Sequence, residues 1–334
     1  MRWSRTGQRG TLRPGGPVRC FSQAGAKAEL TKMESQLLSS ECQLLDEDFV
    51  NRLVVFLCFD MTWLVRVAEE DGNHPHQMVK LPLKKEVPLL FRMLPEHIFE
   101  DVCEILLFLG RYKPDCLSEG AKMDLVTFCT TFLSSGWLIT NPFLKAKLAE
   151  ILFYNVLPFG HSTTGVVGDV INFHPLALQH LVPALMSFWI DAESTGSHTQ
   201  FYDKFNIRYH LSRIFKTIWN NAQHKERLNS VASADDGHFV IFVNRLLNDV
   251  TFLLDDALEK LVELHGKQVE IETSDYQGKT AEERSEFEGH LRSLEGQIKN
   301  MLEFGNEFLD RLIDFTERKA GQRMPLCRAR LLDD

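Results

Sequence analysis

The sequence predicts an all-α protein built as a stack of amphipathic helices. Three observations carry that prediction. Glycine (20) and proline (12) are sparse over 334 residues, so helices run far before meeting a breaker. Apolar residues recur at helical spacing from about residue 44 onward. Hydrophobic residues make up 44%, with 24 Phe against 5 Tyr and 5 Trp, enough apolar area for a large core with few polar tips to satisfy.

Charge divides the chain. The first 28 residues hold six of the 37 cations (Arg2, Arg5, Arg9, Arg13, Arg19, Lys27) and none of the 46 acids. The rest is therefore more acidic than the net −9, and such a body repels phosphate backbones, which argues against nucleic acid. Residues 1–43 read as a disordered basic tail. Their Arg-rich, acid-poor start admits a mitochondrial targeting segment as a minor reading, with Arg19-Cys20-Phe21-Ser22 similar to a matrix-protease site. Gly15, Gly16 and Pro17 count against the helix such a segment needs.

Residues 46–70 read as one core helix, ended at Asp71-Gly72-Asn73. The segment 72–92 reads as a loop; His74 and His76 there lack a third metal ligand. Pro95 opens a helix to about 110, with Ile98, Val102, Ile105 and Leu109 on one face. Gly110 and Pro114 are expected to close it. Residues 119–135 form the next helix. Asn141 is an N-cap with Pro142 at the first helical position, starting a helix to about 155. A Gly/Ser/Thr loop covers 158–168. Pro183 is expected to kink or split the helix at 174–190.

Residues 199–220 read as a short and a longer helix, and 221–237 as a polar loop. The longest helix is expected at 238–265. Its apolar stripe, from Phe239 through Leu261, is wide enough for two neighbours, and Arg245, Asn248, Asp249, Asp255 and Asp256 take the other side. Residues 266–300 read as a charged loop entering a surface helix. An amphipathic helix follows at about 290–317, then a divergent tail at 318–334.

Chemistry-bearing patterns are scarce. The seven cysteines at 20, 42, 58, 103, 116, 129 and 327 contain no CxxC, which argues against a disulfide framework or a cysteine zinc site. No nucleotide-binding glycine loop, nucleophile elbow or HExxH occurs. Asp255 and Asp256 diverge by about 100° around a helix and cannot converge on one atom. The aromatic and cationic run Lys204–His210 reads as a helix corner with buried rings and capping cations, not as a nucleic-acid groove. No 18-residue apolar run lacks charge, so no membrane span is expected. No catalytic, cofactor-binding or metal residue is assigned, and no cofactor is expected.

Four strings carry a family resemblance: LPEHIFEDVCEILLFLGRYKP (94–114), FLSSGWLITNPFLKAKLAEILFYN (132–155), FYDKFNIRYHLSRIFKTIW (201–219) and FVIFVNRLLNDVTFLLDDALEKLVELH (239–265). In this order they resemble the core of the ubiquitin chain-elongation factors, the E-four class of ubiquitin conjugation factors, over about 85–315. The resemblance implies an armadillo-like helical solenoid, with 44–317 as the front portion of the elongation-factor core. It implies a role in polyubiquitination and in proteasomal and ER-associated degradation, in cytoplasm and nucleus. It implies as partners the AAA segregase ATPase and shuttle factors with ubiquitin-like domains. The family activity is that of a ubiquitin–ubiquitin ligase, and family members end in a U-box that docks a ubiquitin-conjugating enzyme. This sequence contains no Asp-Pro dipeptide of the kind a U-box carries, so the conjugating enzyme is a partner only where a U-box is supplied, and the chain alone is expected to be inactive. The alternatives are a generic helical-repeat adaptor with no ubiquitin role, which would not carry the four strings in order, and a hydrolase with a site hidden among the helices. A solenoid's last repeat exposes the face its neighbour would cover, so the C-terminal edge is expected to be marginal or self-associating.

Overall fold

Helices follow one another along nearly the whole of the computed structural model, which describes residues 23–192, 201–234, 237–272, 276, 278 and 280–316. Among the described residues there is no strand, only one isolated bridge between Phe159 and Ser162. Contacts divide the chain into two units, residues 1–50 and 51–334.

In the first unit, α1 (Gln23–Leu44) is a helix solvated along its described length. Leu30, Met33 and Leu37 lie on its surface at i, i+3, i+7, each 57–60% exposed. The disordered-tail reading is therefore corrected for 23–43, where alanine and straight-chain residues favour a helix. Residues 1–22, with the targeting reading, lie outside the described residues. Asp46 starts α2 (Glu47–Ala68), its carboxylate accepting from the Phe49 N–H at 2.9 Å.

The second unit is a two-row stack. One row runs α4 (Glu96–Tyr112), α6 (Pro142–Val156), α9 (Phe201–Ile218) and α12 (Ala281–Thr316), each packed on the next. The other runs α5 (Glu119–Ser134), α8 (Val182–Asp191) and α11 (His238–Ile271). The rows touch through α5 on α6, α8 on α9 and α11 on α12. Small helices fill corners: α3 (Leu89–Met93), α7 (Gly168–Phe173) and α10 (Ala222–Ala232). Such paired helices, each contacting its neighbours in the row, make a helical solenoid.

Aromatic rings pin the rows. Phe99 meets Phe128 and Phe132 with centroids 5.2 and 4.8 Å apart. Trp189, Phe205, Phe242, Phe308 and Phe315 form a second buried cluster. The N-cap at Asn141 is present, accepting from the Phe143 N–H at 3.0 Å with Pro142 in the first turn. Asn141→Ala should cost about 1 kcal/mol of stability in urea titrations, and no change would deny the cap a role. Pro183 splits its segment as expected: a π-helical turn (Ala177–Leu181) precedes it, and the proline falls in the first turn of α8, where its missing N–H is tolerated.

Several boundaries differ from the sequence reading. Gly110 does not end α4, which runs on to Tyr112; a Cβ there would lie 2.9 Å from the Asn155 side-chain nitrogen, so the glycine lets α4 and α6 approach. The buried face of α4 centres on Phe99, Val102, Cys103 and Leu106, with Ile98 and Ile105 half-buried at its edge. The described part of 199–220 is one helix, α9. The expected polar loop at 221–237 holds α10, capped by Asn221 and buried only at His224, Leu228 and Ala232. The longest helix is α12, with 36 residues against 34 in α11, because both helices extend into the charged stretch taken for a loop.

His210 lies against Phe153, ring centroids 4.2 Å apart. Burial, with Arg111 adding to it, lowers its pKa from the ordinary 6.5 to about 4. Folding therefore favours the neutral ring. Its contribution is whole above pH 6.5, is lost as pH falls towards 4, and reaches about 3 kcal/mol. Burial lowers His174 and His224 in the same sense. The urea midpoint should fall between those pH values, less steeply in His210→Gln; equal slopes would contradict this assignment.

Candidate functional site

Helices α11 and α12 form an antiparallel hairpin, and its outer side is the candidate partner surface. The pairing is set by sequence spacing. Along α12 the buried row is Leu291, Leu294, Ile298, Met301, Gly305, Phe308 and Phe315, mostly at the alternating three- and four-residue steps of a coiled-coil seam. Phe242 meets Phe315 at one end (5.7 Å), and His290 approaches Glu263 at the other (3.3 Å). Beyond Ala257 no described residue of α11 is buried, and none of α12 before Leu291. Half-buried Lys260, Leu264, Lys267 and Ile271 continue the seam, so this end of the hairpin packs on itself.

The inner side of the hairpin is fastened by buried charge. Arg208 of α9 is 0% exposed and pairs with Asp249 of α11, itself 4% exposed. The Arg208 guanidinium also donates to the Trp189 carbonyl, Nη2 at 3.0 Å, and Trp189 Nε1 donates to Asp249 Oδ2 at 3.1 Å. Three helices thus share one satisfied polar knot. A second knot ties α12 to α9: Glu307 pairs with Arg213 and Lys216, and the Ser212 hydroxyl donates to the Glu307 carbonyl. Arg311 pairs with Asp314.

This corrects two sequence assignments. Asp249 is not on a solvated side, and Arg208 is not a capping cation. Both sit in the apolar register of their helices, Arg208 among Phe205, Leu211 and Phe215, and Asp249 among Phe242, Leu246 and Leu253. A charge inside such a stripe was the available signal, since a buried charge demands a buried partner.

Because Asp249, Glu307 and Arg311 face α8 and α9, the opposite side of the hairpin is open. There Leu247, Leu254 and Leu258 of α11 lie beside the buried row, 38–60% exposed. On α12, Leu302, Leu309 and Ile313 do the same, 37–55% exposed. Leu254 Cδ2 lies 3.8 Å from where a Cβ on Gly305 would be, placing the two rows side by side. The far edge of the second unit is similar: Val55, Phe56 and Phe59 on α2 are 57–72% exposed, opposite a buried face of Val54, Leu57, Met61 and Leu64.

Elsewhere the surface offers a small apolar cavity of about 130 Å³ between Leu64, Phe91, Phe99, Ile139 and Leu144, and an open polar cleft around Gln179, His180 and Arg227. Thiol chemistry is poorly supported at the positions inside the helices. Burial pushes Cys58 up to about 11, with Asp124 adding to it, and raises Cys103 and Cys129 further. A protonated thiol is a weak nucleophile. Cys58 bonds to Asp124, whose pKa burial raises, while burial lowers the neighbouring His74; a carboxyl so placed does not draw the thiol proton as a basic histidine would. Among the described residues, no three His, Cys, Asp or Glu side chains gather as a metal site, and no helix is long and apolar enough to cross a membrane.

Known proteins share this chain. A family profile described as the ubiquitin elongating factor core matches residues 21–331. The ubiquitin conjugation factor E4 of Schizosaccharomyces pombe is 35% identical over 278 residues, covering 83% of this chain and 27% of that protein. A probable ubiquitin conjugation factor E4 of Arabidopsis thaliana is 32% identical over 292 residues, 84% of this chain and 27% of its own length. The E4 ubiquitin-protein ligase of Saccharomyces cerevisiae is 30% identical over 300 residues, 82% and 31%. The chain thus spans between a quarter and a third of the length of these relatives. With a family match running through both rows of the helical stack, the chain belongs to the ubiquitin elongating factor core family.

Proposed function

We propose that this chain is a scaffold of ubiquitin chain elongation: it holds pathway proteins while ubiquitin is joined to ubiquitin elsewhere. The family match over 21–331 carries the reading. The long apolar rows on α2 and on the α11–α12 hairpin support it, because contiguous exposed apolar surface marks sites of protein association. The partners we assign are the AAA segregase ATPase and shuttle factors with ubiquitin-like domains. A charged ubiquitin-conjugating enzyme joins them where a U-box is supplied. The setting is proteasomal and ER-associated degradation, in cytoplasm and nucleus.

Calorimetric titration of the purified chain with the AAA segregase and with a shuttle factor tests the assignment. Saturable binding to at least one, with micromolar or tighter affinity, is expected. Absence of heat and of co-sedimentation with both would overturn the partner assignment.

A further inference from the structure

We infer that the open side of the α11–α12 hairpin is a docking surface for a second copy of this chain, joining two hairpins into an antiparallel four-helix bundle. The inference stands apart from the ubiquitin reading and needs none of it. Its first support is the shape of the apolar seam. Leu247, Leu254 and Leu258 run parallel to Leu302, Leu309 and Ile313 at helical spacing, all 37% or more exposed. Together they present on the order of 500 Å² of apolar area, in the range where an exposed patch marks an interaction site and a substantial part of the roughly 800 Å² each partner of a standard interface buries.

The second support is charge. In a two-fold arrangement with its axis along the hairpin, α11 of one copy lies over α12 of the other, running opposite to it. The pairing within each hairpin fixes the levels: residue 242 stands beside 315 and 263 near 290. Leu247 then falls opposite Leu309, and Leu254 opposite Leu302. At the rim, exposed Asp255 falls opposite exposed Lys299 of the second copy, and the match repeats by symmetry. All neighbouring helices are antiparallel, which suits their dipoles. The self-complementary patch is what an isologous interface requires.

Sedimentation velocity of the full chain across the micromolar range tests this. A monomer–dimer equilibrium is expected. Leu254→Glu and Leu309→Glu should each give monomer at every concentration, with helical circular dichroism unchanged. Asp255→Lys should weaken the dimer several-fold, and Asp255→Lys with Lys299→Asp should restore it. These rim positions are solvated, so they report even if a leucine variant misfolds. A wild-type monomer throughout, association into disordered larger species, or a double variant no tighter than Asp255→Lys would each overturn the inference. So would a dimer indifferent to Leu254→Glu and Leu309→Glu, which would place the contact elsewhere.

Discussion

Asp249→Ala loses about 3–5 kcal/mol of folding stability, the cost of leaving a buried cation without its carboxylate. Arg208 is wholly buried between α8, α9 and α11, and the Trp189 carbonyl that it also bonds supplies no charge. Water cannot enter to replace the carboxylate without opening the aromatic cluster of Trp189, Phe205 and Phe308. A typical domain has about 5–15 kcal/mol in total, so the variant is close to unfolding. The indole N–H of Trp189 loses its acceptor as well. Arg208→Met combined with Asp249→Leu removes both charges and should be much less damaging than Asp249→Ala alone. Urea denaturation of the three proteins measures the difference. A double variant as unstable as Asp249→Ala would show that packing, not charge pairing, governs the site.

Gly165→Val is expected to cost at least about 3 kcal/mol, because two penalties coincide there. The residue has φ of +73°, and an added Cβ would lie 2.4 Å from the Asn155 carbonyl oxygen and 2.6 Å from that of Leu157. The loop after α6 folds back here: the Val167 N–H donates to the Asn155 carbonyl at 3.1 Å, and Ser162 Oγ donates to the Gly165 carbonyl at 2.9 Å. The backbone must move, and with it the entry to α7 (Gly168–Phe173). Gly160 provides the control, since it has φ of +58° but open space around its would-be Cβ. Gly160→Ala should therefore cost only the conformational penalty, about 1–2 kcal/mol. Equal losses at the two sites, read as thermal midpoints, would mean that crowding at Gly165 is relieved without effect.

These two sites show where sequence stopped informing structure. Helices with a wide apolar stripe and a cap were legible: α6 from Asn141 and Pro142, and the break at Pro183. The packing of α11 on more than one helix also followed from its stripe, and it contacts α8, α10 and α12. By contrast, α10 has few buried side chains and is held by position, so its polar sequence resembled a loop. The first turns of α12 are mostly charged, and Phe287, half-buried, is their main apolar mark. They are helical because they continue a long hairpin, a tertiary cause invisible to local pattern. Arg208 and Asp249 were misread because a charge suggests solvent, and only the fold shows that the two come together across 41 residues. The family was legible from four strings. The docking seam was foreseen as an exposed edge, but which leucines form it depended on how α11 and α12 are rotated.

The central claim is that this helical stack holds polypeptides and does not itself make ubiquitin–ubiquitin bonds. The most direct measurement is a chain-elongation assay with activating enzyme, charged conjugating enzyme and a ubiquitin-bearing substrate. The account predicts no lengthening of chains when this polypeptide is the sole ligase component, although the same preparation binds a pathway partner. Chains that lengthen in proportion to the added polypeptide, and stop when it is omitted, would contradict it.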